Sequence, residues 1–164
     1  MSEKIIIVDS NDALLGAKER SLLRLDDIYR VSALWIFDSQ KRVLLAKRAL
    51  VKKHYPGKWG AAVVGMNAAG ETYEETIRRE AMEEVGLNLS ESDLKIGPIE
   101  HIKDEYEHFT QWYWVTVDCS EDTFLIDPQE VDQVKWFTRD EVFAMYADSP
   151  ENFVPSFRPS FDVL

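Results

Sequence analysis

The sequence has little cysteine and no long apolar run, and each shortage excludes a class of protein. Its 164 residues include one cysteine, Cys119, which cannot form an internal disulfide and therefore favours a reducing compartment. The apolar run near the start, KIIIV, is far too short for a signal peptide or a membrane span, and no later run is long enough either. We therefore expect a cytoplasmic protein without a membrane partner.

Positive charge is also scarce in this chain. It has 19 lysines and arginines against 30 aspartates and glutamates, which gives a formal net charge of -11 at pH 7. Because a nucleic-acid polymer is bound through a basic surface, this balance argues against such a partner. The same balance is compatible with a small phosphorylated ligand that is held by a few local cations or by metal ions.

Apolar and aromatic residues, in contrast, make up 45% and 12% of the chain, which is enough for the packed core of a domain. Strand-like segments rich in β-branched and aromatic residues, such as RVSALWIFD and FTQWYWVTVD, outnumber the helical segments. RSLLRLDDIY predicts a short helix, GAAVVG a short buried strand, and YPGKW a tight turn with Gly57 at positive φ. The mixed order of strands and helices favours an α+β fold with a mixed sheet.

The whole chain is predicted to form a single domain over residues 1–164, with its core at about 30–142. A hairpin within residues 1–28 and an irregular tail at 148–164 are expected to pack on this core. The tail contains three phenylalanines, and exposing them to water would be costly.

An acidic segment, GETYEETIRREAMEEVGL at residues 70–87, predicts one well-delimited helix. Thr72 followed three residues later by Glu75 is the pattern of a capping box, and Gly86 is suited to end the helix in a left-handed conformation. At 100° per residue, one face of this helix is apolar and must face the core. That face consists of Tyr73, Ile77, Ala81 and Val85.

Three carboxylates border this apolar face instead of opposing it. Glu80 and Glu84 repel each other at a spacing of four residues, and they lie toward the helix C-terminus, where the macrodipole disfavours negative charge. Glu83 shares their arc. A solvated acidic face is one interpretation, but such a face should lie opposite the apolar one. The other interpretation is a site for a hard divalent cation such as Mg²⁺, with Arg79 paired to Glu83.

The spacing around the helix resembles the Nudix box. From the first glycine, the chain reads Gly, five residues, Glu, seven residues, Arg-Glu, an apolar residue, any residue, Glu-Glu, any residue, Gly and an apolar residue. All seven fixed identities match, so the pattern is highly specific. They are Gly65, Glu71, Arg79, Glu80, Glu83, Glu84 and Gly86, with Leu87 as the closing apolar residue.

This resemblance implies a fold and a chemistry. Nudix proteins have a mixed β-sheet sandwiched between helices, with the box as a loop-helix-loop. Most of them hydrolyse a diphosphate linked to another group, usually in a nucleoside diphosphate derivative, using Mg²⁺ or Mn²⁺. A small-molecule diphosphate is therefore the partner that the resemblance implies. Homodimers are frequent in the family, and the resemblance leaves the oligomeric state of this chain open.

The resemblance also implies roles for the box residues. Glu80, Glu83 and Glu84 would be metal ligands, and Glu71 would assist the metal site. Arg79 would lock the carboxylates in place. Gly65 would let the loop backbone approach the helix. The general base would be Glu80 or an acid from a later loop, and three candidates remain open there: Glu105, Glu107 and Glu130.

The segment before the box is similar to isopentenyl-diphosphate isomerases and to the hydrolases related to them. Those isomerases place a catalytic cysteine and a metal-binding histidine just before the box, where this chain has Ala62-Val63-Val64-Gly65. We therefore expect an isomerase-like hydrolase. An isomerase and a non-catalytic module that binds a diphosphate ligand are the alternatives.

Four basic residues near the predicted turn are candidates for holding substrate phosphates: Arg48, Lys52, Lys53 and Lys58. Ordinary solubilising charge at strand ends is the equal alternative. The aromatic run HFTQWYWV would either line a pocket that stacks a base or pack in the core or a dimer interface. His101 and His108 lie near Glu105 and Glu107 in the sequence and are candidates for a second metal site. The more common alternative is that they are surface histidines without a metal.

Overall fold

The computed structural model describes residues 3–157. Within this range the chain forms nine β-strands and two α-helices. No helix in the described range is long and apolar enough to cross a membrane. The strands are β1 (Lys4–Val8), β2 (Leu14–Glu19), β3 (Ile28–Phe37), β4 (Val43–Arg48), β5 (Trp59–Ala61), β6 (Val63–Met66), β7 (Lys95–Lys103), β8 (Glu107–Thr116) and β9 (Val131–Phe137), and the helices are α1 (Tyr73–Val85) and α2 (Arg139–Asp148).

Strand β3 is the centre of the sheet. One of its edges pairs with β8 in parallel from Tyr29 to Phe37. Its other edge pairs antiparallel with β1, β6 and β4 in turn. Outer strands extend this frame, since β2 pairs with β1, β7 with β8, and both β5 and β9 with β4. The prediction of an α+β fold with a mixed sheet is therefore confirmed.

The two helices cover opposite faces of the sheet. Successive strand residues point to opposite faces, and β3 divides accordingly. Leu34 and Ile36 pack against Ile77, Ala81 and Val85 of α1. Trp35 and Phe37 belong to the cluster around Val142 of α2. We call these the α1 face and the α2 face of the sheet; together they give the predicted sandwich of a sheet between helices.

Both ends of the described chain contact the central strands. At the start, β1 pairs with β3 through Ile7 and Val8. Near the end, Phe153 and Phe157 are buried in the cluster on the α2 face. The third phenylalanine of the predicted tail, Phe161, lies outside the described residues. The division into a core and two packed ends stays a prediction.

Two local predictions need correction. RSLLRLDDIY forms a single 3₁₀ turn at Arg20–Leu22 instead of a helix. The chain turns toward β3 there, because the Asp27 carboxylate accepts the backbone N–H of Arg24 at 2.7 Å and pairs with Lys18. GAAVVG is also divided at Ala62, because β5 pairs with β4 whereas β6 pairs with β3. The predicted turn at YPGKW is present, with Gly57 at φ 69°.

Candidate metal centre

Helix α1 begins and ends as its sequence predicts. The Thr72 hydroxyl accepts the backbone N–H of Glu75 at 3.2 Å, and the Glu75 carboxylate accepts the backbone N–H of Thr72 at 2.8 Å. At the other end, Gly86 has a φ of 69°, and the backbone N–H of Leu87 donates to Ala81 at 3.0 Å. These bonds satisfy backbone groups that a helix end would otherwise leave unpaired, so they fix which residues face the sheet.

The acids of α1 lie at the border of its buried stripe, against strand β6. Ile77, Ala81 and Val85 are fully buried. Glu80 follows the edge of this stripe and lies against Gly65, where an added Cβ would be 2.4 Å from the Glu80 Cδ. The close approach that was expected of Gly65 is therefore present, and a side chain at this position would displace Glu80.

Arg79 binds three acids at once. Its guanidinium donates to both carboxylate oxygens of Glu71, at 2.8 and 3.0 Å. Its Nη1 donates to Glu80 Oε1 at 2.8 Å and to Glu83 Oε2 at 3.1 Å, which includes the predicted pair with Glu83. Hydrogen bonds from Arg79 hold the pKa of Glu71 below its usual value. Arg79 therefore neutralises much of the repulsion within the box.

Thr76 is a member of this network that the sequence did not identify. Its hydroxyl donates to Glu71 Oε2 at 2.7 Å, and its side chain is fully buried. Thr76 belongs to the helix and Glu71 precedes the N-cap, so helical spacing does not relate the two residues. This bond and the two from Arg79 fix the Glu71 carboxylate.

Glu84 differs from its neighbours. Glu71, Glu80 and Glu83 form ion pairs with Arg79, whereas the ion pairs described within residues 3–157 do not include Glu84. Burial, with Glu80 and Glu130 nearby, raises the pKa of Glu84 to about 8. Lys52 and a hydrogen bond from the backbone N–H of Val64 act in the opposite direction but do not compensate. Burial also raises the pKa of Glu80. This end of the cluster is therefore short of positive charge.

A divalent cation suits this donor set. Carboxylate oxygens are the ligands that Mg²⁺ and similar hard cations prefer, and Glu80, Glu83 and Glu84 present them on one side of α1. The space left by Gly65 keeps Glu80 free of a side-chain clash. Within residues 3–157, no three His, Cys, Asp or Glu side chains lie in a geometry that could hold a metal ion. In the acidic cluster, the Arg79 guanidinium lies between Glu80 and Glu83.

The structure brings two of the predicted phosphate-binding residues to the acidic cluster. Lys52 pairs with Glu130 at 2.5 Å and also acts on the charge of Glu84. Arg48 lies within the electrostatic reach of the same two acids, and its Nε donates to the backbone carbonyl of His54 at 3.0 Å. Lys58 instead donates to the carbonyl of Glu151, at 2.8 Å.

The three later acids have different surroundings. Glu130 is the one whose charge acts on Glu84. Glu105 accepts the Tyr55 hydroxyl at 2.5 Å, and Glu107 binds His101 at 2.8 Å and Lys103 at 3.2 Å. The side chains of the suggested second metal site do not form a metal-binding cluster either. His101 is paired with Glu107, whereas His108 contacts the Thr110 hydroxyl.

The NUDIX domain family model matches residues 28–157, which include strands β3 to β9, helix α1 and the acids of α1. The chain belongs to this family. Nudix hydrolases act on diphosphate linkages in small molecules, and the chain is an enzyme of this class. The match also accounts for the combination of an acidic helix with a glycine that lies against it in the preceding strand.

Individual relatives agree with the isomerase-like branch. A prenyl-diphosphate phosphatase of Methanosarcina mazei is 30% identical over 156 residues, which cover 92% of this chain and 88% of that protein. An isopentenyl-diphosphate Δ-isomerase of Pectobacterium atrosepticum is 28% identical, with 96% and 89% covered. Among solved structures, a protein of Deinococcus radiodurans has a TM-score of 0.74 and 25% identity, with 89% and 90% covered.

Proposed function

We propose that this Nudix hydrolase cleaves a diphosphate linkage in a small molecule, with a nucleoside diphosphate derivative as the substrate class, and that Glu80, Glu83 and Glu84 hold the Mg²⁺ or Mn²⁺ it needs. The observation that carries this proposal is the position of Glu84 beside Glu80, at the border of the buried stripe of α1. Its carboxyl group lies beside two other acids, and burial raises its pKa to about 8. A divalent cation would supply the positive charge that this end of the cluster lacks.

Each residue of the box would have a separate role in hydrolysis. When bound, the cation would neutralise diphosphate charge and lower the pKa of a water molecule for attack on phosphorus. Arg79 is a positioning residue, because it contacts Glu80 and Glu83 through one oxygen each. Glu71 fixes the orientation of Arg79 through two parallel bonds. Glu80 Oε2 is then available to take a proton from the attacking water.

Glu130 is the second candidate for the general base. It is the later acid whose charge reaches Glu84, and Lys52 holds it at 2.5 Å. Lys52 and Arg48 would bind substrate phosphates beside the box, and Lys52 would then leave its ion pair with Glu130. Lys58 would have to leave the Glu151 carbonyl to do so.

A substrate panel tests the proposal. The purified protein is incubated with Mg²⁺ and with nucleoside diphosphate derivatives, nucleotide sugars, dinucleotides or prenyl diphosphates, and the release of phosphate or nucleotide is followed. We expect hydrolysis that requires the cation and is lost in Glu83→Gln, while the thermal unfolding temperature stays that of the wild type. Full activity of Glu83→Gln, or full activity in excess chelator, would contradict the proposal.

Three alternatives differ from this proposal in the substrate or in the reaction. The relative named prenyl-diphosphate phosphatase favours hydrolysis of an isoprenoid diphosphate, and several relatives carry the name of the isomerase. Allylic isomerisation needs an acid-base pair across a double bond, and one partner is missing, because Ala62–Gly65 contain no cysteine. Formation of the allylic isomer in the same panel would establish the isomerase. If Mg²⁺ titration gave neither heat nor thermal stabilisation, a non-catalytic module would be favoured.

The remaining expectations concern the setting of the enzyme. We propose a cytoplasmic location on the grounds given by the sequence, and the absence of a nucleic-acid polymer as partner on the grounds of charge. The measured oligomeric state in solution would decide whether homodimers form.

A further inference from the structure

The loop between β4 and β5, residues 49–58, is tied at two points to loops elsewhere in the chain. At the first point, Lys52 pairs at 2.5 Å with Glu130, which lies beside the acidic cluster. At the second, the Tyr55 hydroxyl donates to Glu105 Oε2 at 2.5 Å, across 50 positions of sequence. Glu105 lies in the turn between β7 and β8. The loop therefore connects the acidic cluster to this turn.

Tyr55 has a backbone conformation that tyrosine rarely adopts. Its φ is 53°, in the left-handed region, and the proline that follows it favours an extended conformation at this position instead. The other non-glycine residues with positive φ among residues 3–157 are Asp12 and Lys41, which lie in hairpin turns. Because the left-handed region is costly for an aromatic residue, contacts with the rest of the protein must hold Tyr55 in it.

Two contacts with the β7–β8 turn hold this conformation. The first is the hydrogen bond from Tyr55 to Glu105, and the second is an edge contact between the rings of His54 and Tyr106, whose centroids are 5.8 Å apart. Burial and the bond to Glu105 raise the pKa of Tyr55, so its hydroxyl stays protonated and donates. A hydrogen bond to a charged acceptor is strong enough to offset a left-handed backbone. We call these two contacts the clasp.

The clasp is linked to Arg48 through one peptide group. The Arg48 Nε donates at 3.0 Å to the backbone carbonyl of His54, which precedes Tyr55 directly. The backbone of Arg48 is fixed independently, because its carbonyl accepts the N–H of Gly57 at 3.0 Å. If φ of Tyr55 left the left-handed region, the His54 carbonyl would turn relative to this fixed base. Loss of the clasp would therefore release the Arg48 guanidinium while β4 stays in place.

We propose that Tyr55 and Glu105 are positioning residues that hold the Arg48 guanidinium in place for the substrate diphosphate. This inference rests on the phosphate-binding role proposed above for Arg48. The hydrogen bonds described within residues 3–157 use only the Nε of this side chain, so its two Nη groups remain for a phosphate. A guanidinium that is already fixed loses less conformational freedom when it binds. Glu105 thereby has a role other than that of general base.

Binding of a diphosphate analogue tests the inference without turnover. The probe is methylenediphosphonate, which is not hydrolysed, titrated calorimetrically in the presence of Mg²⁺. Tyr55→Phe keeps the ring but loses the hydroxyl, and it is expected to weaken binding roughly 3- to 10-fold, the effect of one hydrogen bond. Glu105→Ala should weaken binding equally, and Glu105→Gln, which keeps an acceptor, by less.

Tyr73→Phe is the matched control. It removes another phenol that donates to a carboxylate, that of Asp12 at 3.1 Å, and this carboxylate is outside the β4–β5 loop and the β7–β8 turn. The affinity for methylenediphosphonate should stay that of the wild type. The comparison separates the clasp from the general effect of losing a phenol–carboxylate bond.

A double-mutant cycle tests whether Tyr55 acts through Arg48. Arg48→Met keeps the apolar stem and loses the guanidinium, so it should weaken the probe more than Tyr55→Phe does. In the Arg48→Met background, Tyr55→Phe should weaken the probe less than about twofold, because the group that it positions is gone. A merely structural role of Tyr55 would give the same loss in both backgrounds.

Trypsin cleavage measures the loop without a ligand. Lys53 and His54 are exposed, and cleavage between them should be roughly 3- to 10-fold faster in Tyr55→Phe, in proportion to the population of the open loop. Three results would overturn the inference: wild-type affinity of Tyr55→Phe, additive losses in the cycle, and an unchanged cleavage rate. Each of them leaves the proposed function in place, whereas a wild-type protein that does not bind the probe would contradict both.

Discussion

Helices α1 and α2 begin in the same way but carry their acids differently. Each starts at a threonine whose side chain accepts the backbone N–H of a glutamate three residues on, with the reciprocal bond also present; these are Thr72 with Glu75 and Thr138 with Glu141. In α2, Asp140 and Glu141 occupy the first turn, where the macrodipole favours them, and the one later acid, Asp148, is the last residue of the helix. In α1, further acids lie in the C-terminal half, and Glu80 and Glu84 border the buried stripe.

Comparing the two helices shows that a helix can cover this sheet without a cluster of carboxylates at its buried border. Both helices cover a face of the sheet, and the second does so without a carboxylate cluster at its buried border. In α1, Arg79 has to neutralise Glu71, Glu80 and Glu83, and Glu84 is still left with a raised pKa. Because helix formation and packing do not require this arrangement, we attribute it to the chemistry of the site.

The largest expected effect comes from removing the charge of Glu84. Glu84→Gln should lower the rate of diphosphate hydrolysis on the order of 100-fold or more, because it removes a ligand that would position charge at the reacting group. Steady-state kinetics with saturating Mg²⁺ measure this loss. The matched change on the other helix, Asp140→Asn, should leave the rate unchanged. Equal effects of the two substitutions would erase the distinction between the helices.

A second substitution sharpens the comparison without changing any charge. Gly65→Ala would place a Cβ at 2.4 Å from the Glu80 Cδ, so the Glu80 side chain must move. We expect the rate to fall roughly 10- to 100-fold, since displacing a catalytic group by about 1 Å has effects of this size, and the fold to be kept. In Gly60→Ala the new Cβ would be 3.4 Å from Val154, an ordinary contact, and activity should persist. An active Gly65→Ala enzyme would place Glu80 outside the mechanism.

The pH dependence of stability provides a third test. The pKa of Glu84 is raised from 4.5 to about 8 by burial, so the folded state binds its proton more tightly than the unfolded state. The free energy of unfolding of the metal-free protein should therefore decrease as the pH rises from about 4.5 to 8, with Glu84 contributing about 5 kcal/mol. Urea unfolding at several pH values measures the decrease.

Glu84→Gln and saturating Mg²⁺ are the controls for this pH dependence. Each should remove the contribution of Glu84, the first by deleting the titrating group and the second by stabilising its ionised form. A slope that persisted unchanged in Glu84→Gln would assign it to other groups.

The smallest expected effect tests what the helices share. Thr72→Ala and Thr138→Ala each remove an N-cap hydroxyl, and each should lower the free energy of unfolding by about 1 kcal/mol. Denaturant unfolding of both variants provides the comparison. If one loss were several times the other, the caps would not be equivalent, and the argument from their similarity would weaken.

The parts of the molecule that the sequence predicted are those with local signals. Thr72, Glu75 and Gly86 lie within one helix and its ends, so spacing alone located α1 and its buried stripe. The approach of the Gly65 backbone to the helix was implied by the resemblance to the Nudix box. The mistaken helix at RSLLRLDDIY has apolar residues that do not form one buried helical face, since Leu22 and Leu25 are exposed, and Asp27 binds the backbone there instead.

The parts that escaped prediction depend on residues far apart in the chain. Lys52 and Glu130 form an ion pair across 78 positions, and no periodic pattern connects them. The stacking of Trp35 on Trp112 depends on the parallel pairing of β3 with β8, which the sequence did not specify. The raised pKa of Glu84 likewise results from burial by tertiary packing.

The most direct test of the central claim is the position of a cation in a crystal. Crystals of the wild-type protein soaked in Mn²⁺ and measured for anomalous scattering should show a peak bounded by the carboxylates of Glu80, Glu83 and Glu84. A map without a peak at this position, in which Arg79 still holds its partners and Glu84 contacts only protein or bulk water, would contradict the account.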